Sequence, residues 1–393
     1  MGRALNLHGM RVVSKSSVGD TREAIIHGVE YAARQADVVI MTGGLGPTKD
    51  DITKKTLADM FNSPMSLHQE TLERIQSYFQ KIARPFPPAM HQQATLPDTA
   101  LILTNKAGTA PGMWFEQNGK VYISLPGVPF EMEYLMTHEV LPRLSQRFQP
   151  RPIVHRTLLT ASEGESNIAK RIETFEENLP DHVKLAYLPA LGQVRLRLTG
   201  VWPGTIEPDA QTRLEAQMES LKEELAALLP DLLYGYETDS LESAVGRVLL
   251  EKGLQFGTAE SCTGGYIAHL MTRIPGASRY FKGTIVAYSN EVKMRLLGVP
   301  ADVLEQHGAV SEATARALAV GALVALHVDV SLAVTGIAGP DGGTPEKPVG
   351  TVWVAIASRE RVESARFLFG RDREKNIQST ATFALHLLYR FLI

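Results

Sequence analysis

A chain of 393 residues is too long for one typical hydrophobic core, so two or three domains are expected. Hydrophobic residues make up 44% and charged residues 21% of it, ordinary for a soluble globular protein, and a net charge of −3 leaves no basic footprint for nucleic acid. The single cysteine rules out an intramolecular disulfide; with no run of about 18 apolar residues and no signal-peptide pattern, a cytoplasmic protein away from membranes is expected.

Up to about residue 147 strand and helix alternate, over 10–14, 21–35, 37–41, 51–60 and 68–82, with short strands near Leu101 and Val121. That alternation argues for a parallel α/β layer structure. The strand 37–41 runs into Thr42-Gly-Gly-Leu-Gly-Pro-Thr-Lys-Asp-Asp51, a glycine loop of the kind that receives a phosphate-bearing ligand, without the Lys-Ser/Thr ending of a P-loop. Asp50 and Asp51 either offer hard oxygen ligands to a divalent metal or cap the next helix.

From about 150 to 235 a different pattern holds. Residues 156–160 alternate like a strand, 163–178 read as a helix, 183–187 and 193–199 as a hairpin, and 209–229 as a charged amphipathic helix, a compact α+β unit. Set against a KH-type RNA-binding unit, Gly192 stands alone where the GXXG clamp belongs and the charge is mixed, so a spacer or dimerisation role is expected rather than RNA binding. The change of character over 230–239 marks a linker.

The last section opens with a helix over 241–252 that Ser240 can cap. Strands near Thr258, Thr284, Val330 and Thr351, interleaved with helices at 263–273, 290–297, 311–326 and 376–391, imply another layered α/β fold. One face of 315–326 is nearly all small and apolar, suited to close helix packing or a dimer interface.

Three stretches here carry chemistry. In Thr258-Ala-Glu-Ser-Cys-Thr-Gly-Gly265, between a strand and an amphipathic helix, the Ser261 hydroxyl is expected at a helix N-terminus, where unpaired N–H groups favour developing negative charge. The plainer reading is that Ser261 and Thr263 cap that helix while Gly264 and Gly265 ease the turn. In Ala287-Tyr-Ser-Asn-Glu-Val-Lys293, Asn290 is a natural N-cap and Lys293 falls in the first turn, where the macrodipole, and burial if present, push it toward a neutral amine. In Val334-Thr-Gly-Ile-Ala-Gly-Pro-Asp-Gly-Gly343, glycines let backbone N–H groups approach an anion.

Ala259-Glu-Ser-Cys-Thr-Gly-Gly265, Tyr288-Ser-Asn-Glu-Val-Lys293, His307-Gly-Ala-Val-Ser-Glu312, and Thr335-Gly-Ile-Ala-Gly-Pro-Asp-Gly-Gly343 with Lys347-Pro-Val-Gly-Thr-Val-Trp353 together resemble the competence/damage-inducible CinA family. Its C-terminal domain is a nicotinamide mononucleotide (NMN) amidohydrolase of pyridine nucleotide salvage. The resemblance implies three domains: a molybdopterin-binding-like α/β domain over 1–147, a small KH-like α+β domain over 150–235, and the amidohydrolase over 239–393. It implies Ser261, Tyr288 and Lys293 as the catalytic set. Thr263, Gly264, Thr335, Gly336, Gly339 and Arg373 are implied as substrate-binding, and a homodimer is expected. A second family arginine is replaced here by Ile377 or Gln378. Gly43, Gly44, Gly46, Thr48, Asn105 and Gly127 resemble the lining of the N-terminal ligand pocket, with Asp50 and Asp51 as metal-site candidates for hydrolysis of ADP-ribose.

The chain departs from the family at its start: the strand and Gly-Asp/Thr-Glu-Leu-Leu loop that should come first are missing. That strand is expected inside the sheet, so either the sequence starts within the natural protein, or strand edges are exposed and the N-terminal activity is impaired.

Cys262 is the rival nucleophile, a thiol being the stronger one. It wants a histidine, and His307, the only one in the matched loops, reads as a structural or rim residue. The expected chemistry is attack of Ser261 on a nicotinamide carboxamide, with Lys293 and Tyr288 moving the proton and backbone N–H groups of 262–264 or 336–339 holding the oxyanion. That step calls for no cofactor. Against it stand a nucleotide-binding module without catalysis and a metal-dependent pyrophosphatase in the first section.

Overall fold

The computed structural model describes residues 1–48 and 50–393; Lys49, inside the first glycine loop, lies outside the described residues. They fall into two compact units, Met1–Ile153 with Gly204–Pro208, and Val154–Pro203 with Asp209–Ile393. No helix among the described residues is long and apolar enough to cross a membrane.

The first unit is built on a four-stranded sheet of β1 (Val38–Thr42), β4 (Leu101–Leu103), β5 (Gly112–Gln117) and β6 (Lys120–Leu125), with β2 (Met65–Leu67) and β3 (Thr95–Pro97) as a separate ribbon. The order is β1-β6-β5-β4, and only the β1–β6 pair is parallel, so the sheet is mixed rather than the expected parallel one. Alternation sends Met113, Phe115 and Tyr122 to one face, against Ile25, Val29 and Leu57, and Trp114, Val121, Ile123 and Leu125 to the other, against Leu135 and Leu144. Residues 10–14, expected as a strand, form none; Met10 donates to the Leu5 carbonyl, and residues 11–18 are exposed.

In the second unit, β7 (Ile153–Ala161), β8 (Val183–Ala190), β9 (Gln193–Val201) and β10 (Leu233–Tyr236) form a sheet ordered β10-β7-β9-β8. The β8–β9 hairpin turns at Gly192, and the helix Ala210–Leu228 buries Leu214, Met218 and Leu225 against Leu196 and Leu198. The stretch expected to be a linker instead supplies β10, which pairs antiparallel with β7. Expected as a domain of its own, this section has its own sheet and core, and it falls in the same unit as the C-terminal section; Leu159, Ala161 and Tyr234 join the C-terminal core.

That section carries β11 (Phe256–Glu260), β12 (Phe281–Val286), β13 (Val330–Gly336), β14 (Thr351–Ser358) and β15 (Val362–Leu368), ordered β12-β11-β13-β14-β15. β12, β11 and β13 are parallel; β14 pairs antiparallel with β13, and β15 antiparallel with β14. One face presents Phe256, Val330, Leu332, Val334, Val352, Val354 and Ile356 to the helices Leu241–Glu251, Tyr266–Thr272 and Arg373–Leu392. The other presents Ala259, Ala333, Ala355 and Ala357, and these small side chains let the helix Glu312–Leu326 lie close with Ala315, Leu318, Ala319 and Ala322 buried. The small-residue face of that helix is therefore spent on packing within the unit.

Candidate functional site

Parallel β11, β12 and β13 end at the same level: Glu260 pairs with Val286 on one side and Val334 on the other. The residues that follow, Ser261, Ala287–Tyr288 and Thr335–Gly336, converge beyond the carboxyl ends of the strands, the usual place for a site in such a sheet. A cavity of ≈ 240 Å³ opens there, lined by Ser261, Cys262, Tyr288, Asn290, Lys293, Thr335, Gly336 and Arg373 among others.

Lys293 stands on the helix Asn290–Leu297, capped by Ser289, whose side chain accepts from Val292 N–H at 3.3 Å; Asn290 is thus the first helical residue rather than the cap. The Lys293 side chain is 1% exposed, and Nζ donates to Ser261 Oγ at 3.1 Å and to the Ala287 carbonyl at 2.7 Å. Burial disfavours the ammonium and pulls this lysine below its ordinary value, although neighbouring Cys262 works the other way. Ser261 is 8% exposed and faces the cavity, so a serine hydroxyl and an amine biased toward its neutral form share one hydrogen bond, the geometry of an activated nucleophile. Cys262 lies beside it, but burial, reinforced by the charge of Glu260, pushes its thiol up to about 12, so no thiolate is available near neutral pH.

Tyr288 is exposed, and its hydroxyl accepts from Arg373 Nη2 at 2.9 Å. The other guanidinium nitrogen donates to the Gly339 carbonyl at 2.8 Å. Arg373 thus ties the tyrosine to the 336–343 loop at the rim of the cavity. Asn376, buried one turn later, donates to the carbonyls of Ala338 and Gly370 at 2.9 and 2.8 Å and fixes the same loop from below. Ile377 packs on the core and Gln378 bonds Glu374, so neither replaces a second arginine.

Several expected roles change. The N–H groups opening the helix Tyr266–Thr272 are not free for an anion at Ser261: Glu260 takes those of Gly265, Ile267 and Ala268. Thr263 turns inward, donating to the same carboxylate at 2.7 Å, and neither it nor Gly264 lines the cavity. Gly264 and Gly265 hold φ of +61° and +97°, which makes the turn, and Gly264 N–H is spent on the Ser261 carbonyl. Gly339 contributes its carbonyl to Arg373 rather than a surface to the cavity. Thr335 lines it while donating to the Ala309 carbonyl at 2.7 Å. Sequence reasoning gave no role to Glu260 or Asn376, although a carboxylate closing an apolar strand signals a buried charge that must find donors.

In the first unit the glycine loop and Gly127 are neighbours: a Cβ on Gly127 would lie 3.4 Å from Gly43 Cα. Asn105 is fully buried and donates to the Ala110 carbonyl and Glu131, while its Oδ1 accepts from Ala107 and Gly108 N–H, so it braces its loop instead of offering atoms to a ligand. Asp51 Oδ2 accepts from Thr48 N–H and hydroxyl, and the next helix, Thr53–Met60, has Ile52 as its N-cap with no side-chain cap bond. Neither aspartate caps it. One Asp51 oxygen is engaged by Thr48, and no group of three or more His, Cys, Asp or Glu that could hold a metal ion occurs among the described residues. A cavity of ≈ 370 Å³ in this unit, lined by Ser66, Glu70, Arg74 and Asp98 among others, includes none of the expected pocket residues Gly43, Gly44, Gly46, Thr48, Asn105 and Gly127.

Comparison with known proteins gives a consistent set of relatives. Residues 238–392 match the CinA C-terminal domain and residues 1–146 match the family described as "Probable molybdopterin binding domain". A CinA-like protein of Cytophaga hutchinsonii is 42% identical over 384 residues, covering 98% of this chain and 90% of its own. Another, from Flavobacterium psychrophilum, is 40% identical over 398 residues, covering 100% and 93%. Among solved structures, a competence-damaged protein (CinA) superfamily protein from Klebsiella pneumoniae is 36% identical, covers 39% of this chain and 95% of its own, and has a TM-score of 0.38.

Proposed function

This chain belongs to the CinA family, and from that premise we propose that its C-terminal section hydrolyses the carboxamide of a nicotinamide nucleotide, NMN, to the acid and ammonia. The observation that carries the reading is the buried Lys293 Nζ at 3.1 Å from Ser261 Oγ. A module that only bound nucleotides would have no use for a lysine held below its ordinary value beside a hydroxyl.

Ser261 Oγ attacks the carboxamide carbon as its proton passes to neutral Lys293 Nζ, forming the C–O bond and a tetrahedral oxyanion. When the C–N bond breaks, the proton returns from Nζ to the leaving nitrogen, which departs as ammonia. Water, deprotonated by the same amine, cleaves the resulting ester and regenerates the serine. Tyr288, its oxygen held by Arg373 Nη2, keeps its own O–H free to donate at the rim. Arg373 and the 336–343 loop are the natural grip for a phosphate.

The covalent ester is open to direct test. Acid-quenched mixtures of protein and NMN, digested and weighed by mass spectrometry, are expected to carry an acyl group on the Ser261 peptide, lost in Ser261→Ala and retained in Cys262→Ala. An acyl group that survives Ser261→Ala and disappears in Cys262→Ala would transfer the role to the thiol.

A further inference from the structure

Glu260 closes β11 with its side chain wholly buried, and among the described residues no Lys or Arg forms an ion pair with it. A carboxylate taken out of water without a counter-ion costs several kcal/mol unless its lone pairs are filled. Five donors fill them: Thr258 Oγ1 at 3.3 Å, Thr263 Oγ1 at 2.7 Å, and the backbone N–H groups of Gly265, Ile267 and Ala268 at 2.9, 3.1 and 2.8 Å. They come from the strand, the turn and the first residues of the helix. The segment they enclose is Ser261–Cys262, the one part of the loop that must face the cavity.

An apolar residue at this position would pack against the core but leave the N–H groups of Gly265, Ile267 and Ala268 unpaired. A glutamine would keep one acceptor oxygen but turn an amide nitrogen, itself a donor, on one of the two sets, either Thr258 Oγ1 with Ala268 N–H or Thr263 Oγ1 with the N–H groups of Gly265 and Ile267. A carboxylate offers two acceptor oxygens that take all five donors, so this side chain is matched to the turn. On the other side of that turn the Ser261 hydroxyl meets a lysine that is itself fixed, through the Ala287 carbonyl, to the end of β12. The serine's place is therefore set by the turn, and the turn is tied by one residue.

We propose that Glu260 is the positioning residue of the Ser261–Lys293 pair, its carboxylate clamping the 261–265 turn so that Oγ stays within reach of Nζ. The proposal rests on Ser261 being the nucleophile. It does not make Glu260 a catalytic residue, since it touches neither Oγ nor the cavity.

The test uses the full chain and a fluorophosphonate, which reports the reactivity of an activated serine without requiring any carboxamide substrate. Wild type is expected to be labelled on Ser261. Glu260→Gln is expected to be labelled at least about tenfold more slowly at temperatures well below its own unfolding midpoint, the scale on which a small misplacement of a reacting group is felt. A residue that contributed only to stability would lower the midpoint and leave the labelling rate of the folded protein unchanged. Thr263→Val, which removes a single donor, is expected to slow labelling by a smaller factor, and it decides the matter if Glu260→Gln does not fold. Labelling at the wild-type rate in folded Glu260→Gln, or in Thr263→Val where that variant must serve, would overturn the proposal, as would failure of wild type to label. Absence of ammonia from NMN with labelling intact would overturn the substrate reading and leave the role of Glu260 standing.

Discussion

At the scale of single residues, the site turns on which side chain is buried and which is not. Lys293 in the string Asn-Glu-Val-Lys-Met-Arg reads equally well as a solvated helix residue; only the packing of its helix makes it 1% exposed. Tyr288, which from the sequence alone suits a core position with a wet tip, is exposed and held by Arg373. Cys262 illustrates the opposite case, a chemically stronger nucleophile silenced by burial. The lysine's depressed value has a sign that can be followed. In the proposed mechanism neutral amine is the active form, so kcat/KM for amide hydrolysis is expected to rise with pH to a plateau whose midpoint lies below the ordinary 10.5, and to fall at lower pH as the ammonium takes over. That limb disappears in Lys293→Ala; a midpoint at or above 10.5 in wild type would contradict the assignment. Between its folded value and 10.5 the unfolded chain binds more protons, so this group adds stability as pH rises and loses it as pH falls through the folded value.

Elements are positioned by steric fit that a linear pattern shows only in part. The helix Asn290–Leu297 is held against Glu312–Leu326 at Gly321, where an added Cβ would sit 1.9 Å from the Leu297 carbonyl oxygen. Gly321→Ala is therefore expected to cost roughly 1–3 kcal/mol and, by shifting the helix that carries Lys293, to lower ammonia release as well. A thermal melt and an activity assay check both, and wild-type values in the two would contradict the close approach. The span 290–297 and the hairpin around Gly192 were legible because capping, a terminal glycine and strict alternation all mark them locally. β10 and β15 were not. Leu-Tyr-Gly-Tyr follows Pro-Asp-Leu and looks like a connection until β7 pairs with it, and β15, charged and half exposed, is a strand because β14 lies alongside. Residues 10–14 carry a strand-like composition with no such neighbour.

Over the whole molecule, the candidate C-terminal site is assembled from segments far apart in sequence that three parallel strand ends bring to one level. The motifs named most of these segments, while the buried carboxylate under the turn and the asparagine under the 336–343 loop escaped because their role exists only through donors and acceptors on other segments. In the first unit the glycine loop was legible as a loop, but the polar groups of Asp51 and Asn105 are engaged internally, something spacing alone does not show. The amide chemistry as proposed needs only side chains of the second unit. The most direct measurement is ammonia release from NMN by the full chain in the presence of EDTA, alongside Ser261→Ala and Lys293→Ala. The account predicts turnover by wild type and a fall of about a thousandfold or more in each variant, the scale of losing a nucleophile or its base. No ammonia from wild type, or turnover that survives Ser261→Ala, would contradict it.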